Sequence, residues 1–176
     1  MGTRAIRTFG DPVLRERARE VEKVTDLHRA LIDDMIETMR EAPGVGLAAT
    51  QVGVLDRLFV WEVDEAHGVV INPVIVGRSS DVEVDDEGCL SLPGLLYPVE
   101  RAASVVVQGI DASGDPVRLE AEGLLARVCQ HEIDHLDGVL FIDRLPSDLK
   151  REAVGKLSES ALGLGSASTT AEVHPL

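Results

Sequence analysis

The spacing of apolar residues changes along the chain from a helical period to an alternating one, and these changes predict its elements. From Leu27 to Met39, apolar residues recur every three or four positions, and Thr25 or Asp26 offers a helix N-cap. Pro43-Gly44 ends this pattern. The spacing therefore predicts a helix that begins near residue 26 and ends near residue 42.

Short runs of β-branched residues then predict strands. Turn-forming residues separate these runs, which is typical of antiparallel or mixed sheets. Asp111 to Pro116 is a strong turn signal, and it predicts a hairpin between Val105–Ile110 and Val117–Ala121. The other predicted strands are Leu58–Val63, Val69–Ile71 and Val74–Val76, with Ser104–Val107 at the start of the hairpin.

Helical spacing returns between Leu124 and Leu136, with Gly138 as the stop, and again from about Ser147 to Leu162. Residues 163–176 are small and polar, so we predict a disordered tail there. Helices that flank runs of strands without a regular βαβ alternation favour an α+β fold. We therefore expect one domain over residues 1–162.

Composition and charge narrow the range of partners. The 176 residues include 17 basic and 31 acidic side chains, a formal net charge of −14 that repels phosphate backbones, and only 3% are aromatic. We therefore expect no specific reading of nucleic acid. The N-terminus lacks the apolar stretch of a signal peptide, and two cysteines are too few for a disulfide scaffold. These features predict a cytoplasmic protein with no membrane contact.

The strongest chemical signal is His131-Glu132-Ile133-Asp134-His135. Residues i and i+4 lie on one face of a helix, so the two imidazoles can hold one metal ion. Glu132 follows the first histidine directly, where its carboxylate can act as a general base. Asp134 is better suited to a supporting or capping role than to binding the ion.

A third ligand is needed, because catalytic sites of this kind usually have three protein ligands and one open position. Glu152 or Glu159 on the following helix would give a zinc endopeptidase. Cys89 is another candidate, since its neighbour Gly88 permits a close approach of the backbone to an ion. Cys129 points away from the face of the two histidines and is expected to be a buried core thiol.

Three segments of the chain, in this order, resemble the peptide deformylase family. The family is marked by GxGxAAxQ, EGCxS and HExDH, and the chain matches these motifs at Gly44–Gln51, Glu87–Ser91 and His131–His135. The resemblance runs from about Gly10 to Leu145. It implies an α+β fold in which the metal-binding helix packs among β-sheets.

The resemblance also implies an activity and a cofactor. Family members remove the N-terminal formyl group from nascent peptides that begin with formyl-methionine, and they release formate. The implied cofactor is one divalent metal ion, Fe²⁺ in the cell, which Zn²⁺, Ni²⁺ or Co²⁺ can replace. Cys89, His131 and His135 match the ligands of the family.

Further roles are carried over by position. Glu132 is the expected general base and acid, and the Gln51 side chain and the Leu90 backbone N–H are the expected donors to the developing oxyanion. The expected pocket for the methionine side chain is formed by Val45, Gly46, Leu124 and Val128.

Two departures from the family pattern limit this transfer of residue roles, and two alternative functions stay open. Some members carry an arginine shortly after EGCxS that helps to hold the peptide, whereas this chain has Leu95-Leu96 there. Some dock on the ribosome with a basic C-terminal helix, but here the basic residues are balanced by acidic ones, so we expect at most a transient association. One alternative is a zinc endopeptidase that uses Glu152 or Glu159. The other is a metal-bound interaction module without activity, and a general base beside an open site argues against that module.

Overall fold

The computed structural model of the chain describes residues 2–163 and residue 176. This part of the chain forms three α-helices and seven β-strands. The helices are α1 (Asp26–Glu41), α2 (Gly123–Leu136) and α3 (Ser147–Ala161). The strands are β1 (Gly46–Ala48), β2 (Leu58–Val63), β3 (Ala66–Arg78), β4 (Val82–Glu87), β5 (Tyr97–Ala102), β6 (Ser104–Ile110) and β7 (Pro116–Glu122).

The strands form two antiparallel sheets. Five strands pair in the order β1-β2-β3-β6-β7, and β4 pairs with β5 in a separate sheet of two. The predicted hairpin is β6 and β7, in which Ile110 pairs with Pro116. Mixed helices and antiparallel sheets confirm the predicted α+β class, with α2 packed among the sheets.

Strand β2 separates two hydrophobic clusters because its side chains alternate between the two faces of the larger sheet. Leu58 and Val60 belong to a cluster with the buried face of α1. Phe59, Trp61 and Val63 belong to a cluster with α2. The larger sheet therefore lies between two helices, and each face of β2 is buried under one of them.

Helix α1 begins and ends close to the predicted positions. Thr25 is the N-cap, and its backbone N–H donates to His28 Nδ1 at 3.0 Å. Pro43-Gly44 follows directly after the last turn. The side chains that α1 buries are Leu31, Ile32, Met35, Thr38 and Met39.

Helix α2 is the most buried helix of the described residues, since every residue from Ala126 to Leu136 is buried. Gly138 stops it, as predicted, with a positive φ of 74°. A Cβ atom at this position would lie 2.6 Å from the Arg15 carbonyl oxygen, so the turn also needs glycine for close packing. The C-terminal end of α2 is therefore fixed by local geometry.

The structure differs from the sequence-based expectation in the strands. The predicted Val69–Ile71 and Val74–Val76 are parts of one strand, β3, which is irregular between Ile71 and Val74. Asn72 adopts a positive φ of 53° there, and its side chain bonds both the N–H and the carbonyl of Val21. Strands β4 and β5 were not expected from the apolar pattern.

The predicted disordered tail begins at Gly163, but residues 164–175 lie outside the described residues, so the prediction stays untested there. Leu176 is described, and it is 3% exposed.

Candidate metal centre and active site

Three ligand atoms converge between α2 and the segment after β4. Cys89 Sγ lies 3.2 Å from His135 Nε2, which in turn lies 3.1 Å from His131 Nε2. All three ligand atoms lie within 4.8 Å of one another, and all three residues are buried. The i and i+4 spacing on α2 brings the two imidazoles together, as the sequence predicts, and the segment after β4 delivers the thiol.

This arrangement fits one metal ion. Donors at about 2.1–2.3 Å from a tetrahedral centre lie about 3.4–3.6 Å apart, close to the distances of 3.1 and 3.2 Å that join His135 Nε2 to the other two ligand atoms. Thiol and imidazole are ligands that suit Fe²⁺ and Zn²⁺. The described residues contain no other group of three such side chains close enough to share an ion.

His131 is held from behind by a buried carboxylate. Its Nδ1 lies 2.6 Å from Glu87 Oε1, which fixes the ring so that Nε2 faces Cys89 and His135. Arg101 donates to both oxygens of Glu87 at 2.6 and 3.1 Å, and Arg127 donates to Oε2 at 2.9 Å. Burial alone would raise the pKa of Glu87, but the hydrogen bonds from His131 and Arg101 outweigh it and hold the pKa well below its usual range.

Sequence reasoning missed this charge network, although two signals were present. In β5, Tyr97, Val99 and Arg101 share the buried face, so the alternation places an arginine inside. On α2, Arg127 precedes His131 by four residues and therefore shares its face. A buried arginine needs an acidic partner, and Glu87 is that partner for both.

Glu132 has the opposite environment. Its side chain is fully buried, and neither carboxylate oxygen accepts a hydrogen bond from the described residues. Burial raises the pKa of Glu132 to about 7. A carboxyl group of this kind exchanges a proton near neutral pH, which suits the predicted general base.

The two expected donors to an oxyanion flank Cys89. Gln51 is fully buried, and its Nε2 donates to Ser91 Oγ at 3.1 Å and lies 3.8 Å from Cys89 Sγ. The Ala48 N–H donates to Gln51 Oε1 at 2.9 Å, which fixes the orientation of the amide. The Leu90 N–H donates to a main-chain oxygen of Leu176 at 3.2 Å.

The four residues expected to form the methionine pocket differ in how deeply they are buried and in how closely they approach Glu132. Gly46 approaches closest, since a Cβ atom there would lie 2.5 Å from Glu132 Oε1 and 2.9 Å from Val128 Cγ1. Val128 is fully buried, and Val45 packs against the same cluster. Leu124 is 49% exposed and lines an open cleft of about 520 Å³ with Trp61, Val63 and Leu125.

The alternative ligands lie elsewhere. Glu152 and Glu159 are exposed on α3, and Glu152 accepts hydrogen bonds from Tyr97 and Lys156. Asp134 is paired with Arg101 and with Arg144, so it supports the charge network instead of facing Cys89. Cys129 is buried, and burial raises the pKa of its thiol to about 12.

Comparison with known proteins agrees with this geometry. The family model described as "Polypeptide deformylase" matches residues 3–151. The chain belongs to the polypeptide deformylase family. The peptide deformylase of Acidothermus cellulolyticus is 49% identical over 175 residues, which cover 99% of this chain and 97% of that protein. Peptide deformylase 1 of Corynebacterium glutamicum is 47% identical over 165 residues, covering 92% and 98% of the two chains.

Solved peptide deformylases also share the fold. The structure from Ehrlichia chaffeensis in complex with actinonin has a TM-score of 0.88 at 39% identity, and the match covers 91% of this chain and 98% of that one. The Thermus thermophilus structure has a TM-score of 0.82 at 49% identity, over 90% and 93% of the chains. The predicted family, fold class and hydrolase class are therefore confirmed. No helix among the described residues is long and apolar enough to cross a bilayer.

Proposed function

We propose that the chain removes the N-terminal formyl group from nascent peptides that begin with formyl-methionine. The observation that carries this proposal is the convergence of Cys89 with His131 and His135 of α2. Next to His131 lies Glu132, whose carboxyl group has no hydrogen-bond partner among the described residues. The deformylase names of its bacterial relatives support the same activity.

Cys89, His131 and His135 would hold one divalent metal ion, for which we propose Fe²⁺, with Zn²⁺, Ni²⁺ or Co²⁺ as replacements. When bound, such an ion lowers the pKa of water from 15.7 toward about 7 and polarises a carbonyl oxygen. Glu87 and its arginines keep His131 in the orientation that this role needs.

Glu132 takes one proton from the attacking water and passes it to the leaving amine. The oxygen of the water bonds to the formyl carbon, the bond from that carbon to nitrogen breaks, and the products are formate and a free N-terminal amine. The Gln51 amide and the Leu90 N–H stabilise the negative charge on the formyl oxygen during this step. Each donor of this kind is typically worth about 2.7–4 kcal/mol of barrier lowering.

The methionine side chain would lie against Val45, Gly46 and Val128, with Leu124 at the open side. Only a glycine at position 46 leaves room for Glu132 behind it. We therefore propose that β1 and α2 together form the walls of the pocket.

The test is formate release from formyl-Met-Ala-Ser by protein purified without oxygen and loaded with Fe²⁺. Unformylated Met-Ala-Ser and a longer peptide with an internal cleavage site are the controls. We expect release from the formylated peptide alone. Cleavage of the longer peptide without formate release would instead indicate an endopeptidase.

Replacement of the thiol separates these two hydrolases further. The Cys89→Ser variant should lose bound metal and activity together, because serine is a poor ligand for these ions. Metal content is measured by elemental analysis, and Cys129→Ser is the matched control, since Cys129 is not in the ligand group. Full metal content in Cys89→Ser would remove Cys89 from the site.

A further inference from the structure

The Leu90 N–H, which is expected to bind the substrate, already donates a hydrogen bond to another residue of the same chain. It donates to a main-chain oxygen of Leu176 at 3.2 Å. Leu90 directly follows Cys89, so this hydrogen bond forms next to the group of metal-ligating atoms. A main-chain oxygen of Leu176 therefore takes the hydrogen bond that the Leu90 N–H is expected to offer a substrate.

The side chain of Leu176 is also buried. It is 3% exposed and belongs to the same hydrophobic cluster as Val128, against which Val45 packs. Both of those residues are expected to contact the methionine of a substrate. Leucine and methionine are close in volume and replace each other in cores at little cost. Leu176 therefore offers this pocket a side chain of the size that it is built to accept.

We propose that Leu176 binds in the substrate site of its own chain and competes with formyl-methionyl peptides for it. The proposal rests on the deformylase function proposed above and concerns the regulation of that site. Leu176 makes two kinds of contact that a substrate would make, since its apolar side chain lies in the hydrophobic cluster that contains Val128 and its main-chain oxygen accepts from the Leu90 N–H.

Competition of this kind changes one kinetic constant. A site that is open for only a fraction of the time binds its ligand more weakly by that fraction. Substrate at saturation displaces Leu176, so kcat is unchanged. Tethered ligands reach effective concentrations in the millimolar range, so even a weak contact by Leu176 can fill the site.

The test compares the full 176-residue chain with its Leu176→Asp variant, using formate release from formyl-Met-Ala-Ser. A charged side chain is not tolerated among apolar residues, so the new carboxylate should leave the pocket. We expect KM to fall by roughly three- to tenfold with kcat unchanged. Leu162→Asp is the matched control, because Leu162 is 72% exposed, and its KM should equal that of the unaltered chain. Equal KM values in all three proteins would overturn the proposal.

A second measurement does not depend on activity. Hydrogen exchange of the Leu90 amide is followed by NMR in the Zn²⁺-loaded protein. Loss of its hydrogen bond should speed this exchange by at least about tenfold in Leu176→Asp and leave it unchanged in Leu162→Asp. Adding the peptide Ala-Glu-Val-His-Pro-Leu, which has the sequence of residues 171–176, to Leu176→Asp should restore the slow exchange. Equal exchange in the two variants would contradict docking.

The two readouts separate the two proposals. If no variant releases formate but the Leu90 amide responds as expected, the deformylase function fails and the docking of Leu176 stands. If formate is released and the Leu90 amide does not respond, the function stands and the docking is wrong.

Discussion

Glu87 and Glu132 are two glutamates with the same burial and opposite environments. Both side chains are fully buried near His131. Glu87 faces His131, Arg101 and Arg127, whereas the carboxylate of Glu132 has no hydrogen-bond partner among the described residues. The pKa of Glu87 is lowered as a result, and burial raises that of Glu132 to about 7. Burial alone therefore does not decide the charge of a carboxyl group. The hydrogen-bond donors around it also matter, and here they shift the pKa values of the two glutamates in opposite directions.

The largest effect on the rate of formate release is expected from replacing Glu132. Glu132→Gln keeps the shape of the side chain but cannot take up a proton, so kcat for formate release should fall by about 10²- to 10⁴-fold. Metal content should stay unchanged, because the ligand group does not include Glu132. Glu120→Gln, on the exposed side of β7, is the control. A Glu132→Gln enzyme that keeps more than roughly a tenth of the original rate would contradict the role of Glu132.

Replacing Glu87 should lower both the metal affinity and the free energy of unfolding. Glu87→Gln leaves buried Arg127 without a carboxylate and leaves Arg101 with Asp134 alone, which should cost about 3–5 kcal/mol in the free energy of unfolding. Metal affinity should fall about 10- to 100-fold, since His131 loses its partner. Denaturant titration and competition with a chelator measure the two effects. Glu83→Gln, exposed on the same strand, is the control. Equal stability and equal metal affinity in the two variants would show that Glu87 supports neither the fold nor the metal site.

Removing one of the two arginines sharpens the comparison. Arg127→Met leaves Glu87 bound to Arg101 and His131, so we expect a smaller loss of stability, about 2 kcal/mol. Part of this loss comes from the carbonyl oxygens of Val99 and Glu83, which Arg127 also binds. Metal affinity, measured with the same chelator, should change less than in Glu87→Gln. If it falls equally far, Arg127 and not Glu87 controls the orientation of His131. Arg118→Met, on an exposed side chain, is the control.

The smallest effect is expected for a carboxylate with several partners near the surface. Burial alone would raise the pKa of Asp143, but hydrogen bonds from Arg15 and Lys150 lower it below its usual value. Its charge therefore stabilises the fold above the unfolded-state pKa of about 3.9, and this contribution is lost as the pH falls through the folded-state pKa. Asp143→Asn should cost about 0.5–1 kcal/mol at neutral pH. The difference between the two proteins should shrink as the pH falls below about 3.9, and a difference that stays constant there would mean that the charge is not responsible.

Local spacing explains what could be predicted from the sequence. Three predicted features depend on residues within a few positions of one another. They are the start of α1 at Thr25 and the stop of α2 at Gly138, the hairpin of β6 and β7, and the proximity of His131 to His135. Such features are set by backbone geometry and survive in any fold. The choice of Cys89 as the proposed third ligand depended on the family resemblance, because no spacing rule connects it to α2.

The remaining features are set by contacts between distant residues. Strand β4 is exposed up to Asp86 and holds only two apolar residues, Val82 and Val84, which is too short a pattern to predict a strand. Its pairing with β5, which the apolar pattern does not encode, makes it a strand. The two apolar runs of β3 join because Asn72 is held by Val21, far away in sequence. The same holds for the partners of Glu87, which come from β5 and α2.

The alternation along β2 restricts where the chain can change its length during evolution. Phe59 and Trp61 face α2 while Leu58 and Val60 face α1, so deleting one residue within the strand would exchange the two hydrophobic clusters. Insertions are expected to be tolerated instead at turns, such as Asp64-Glu65 and residues 111–115, because these residues lie outside the alternating pattern of the strands. Lineages of this enzyme should therefore differ in length at these turns and keep the length of β2 constant.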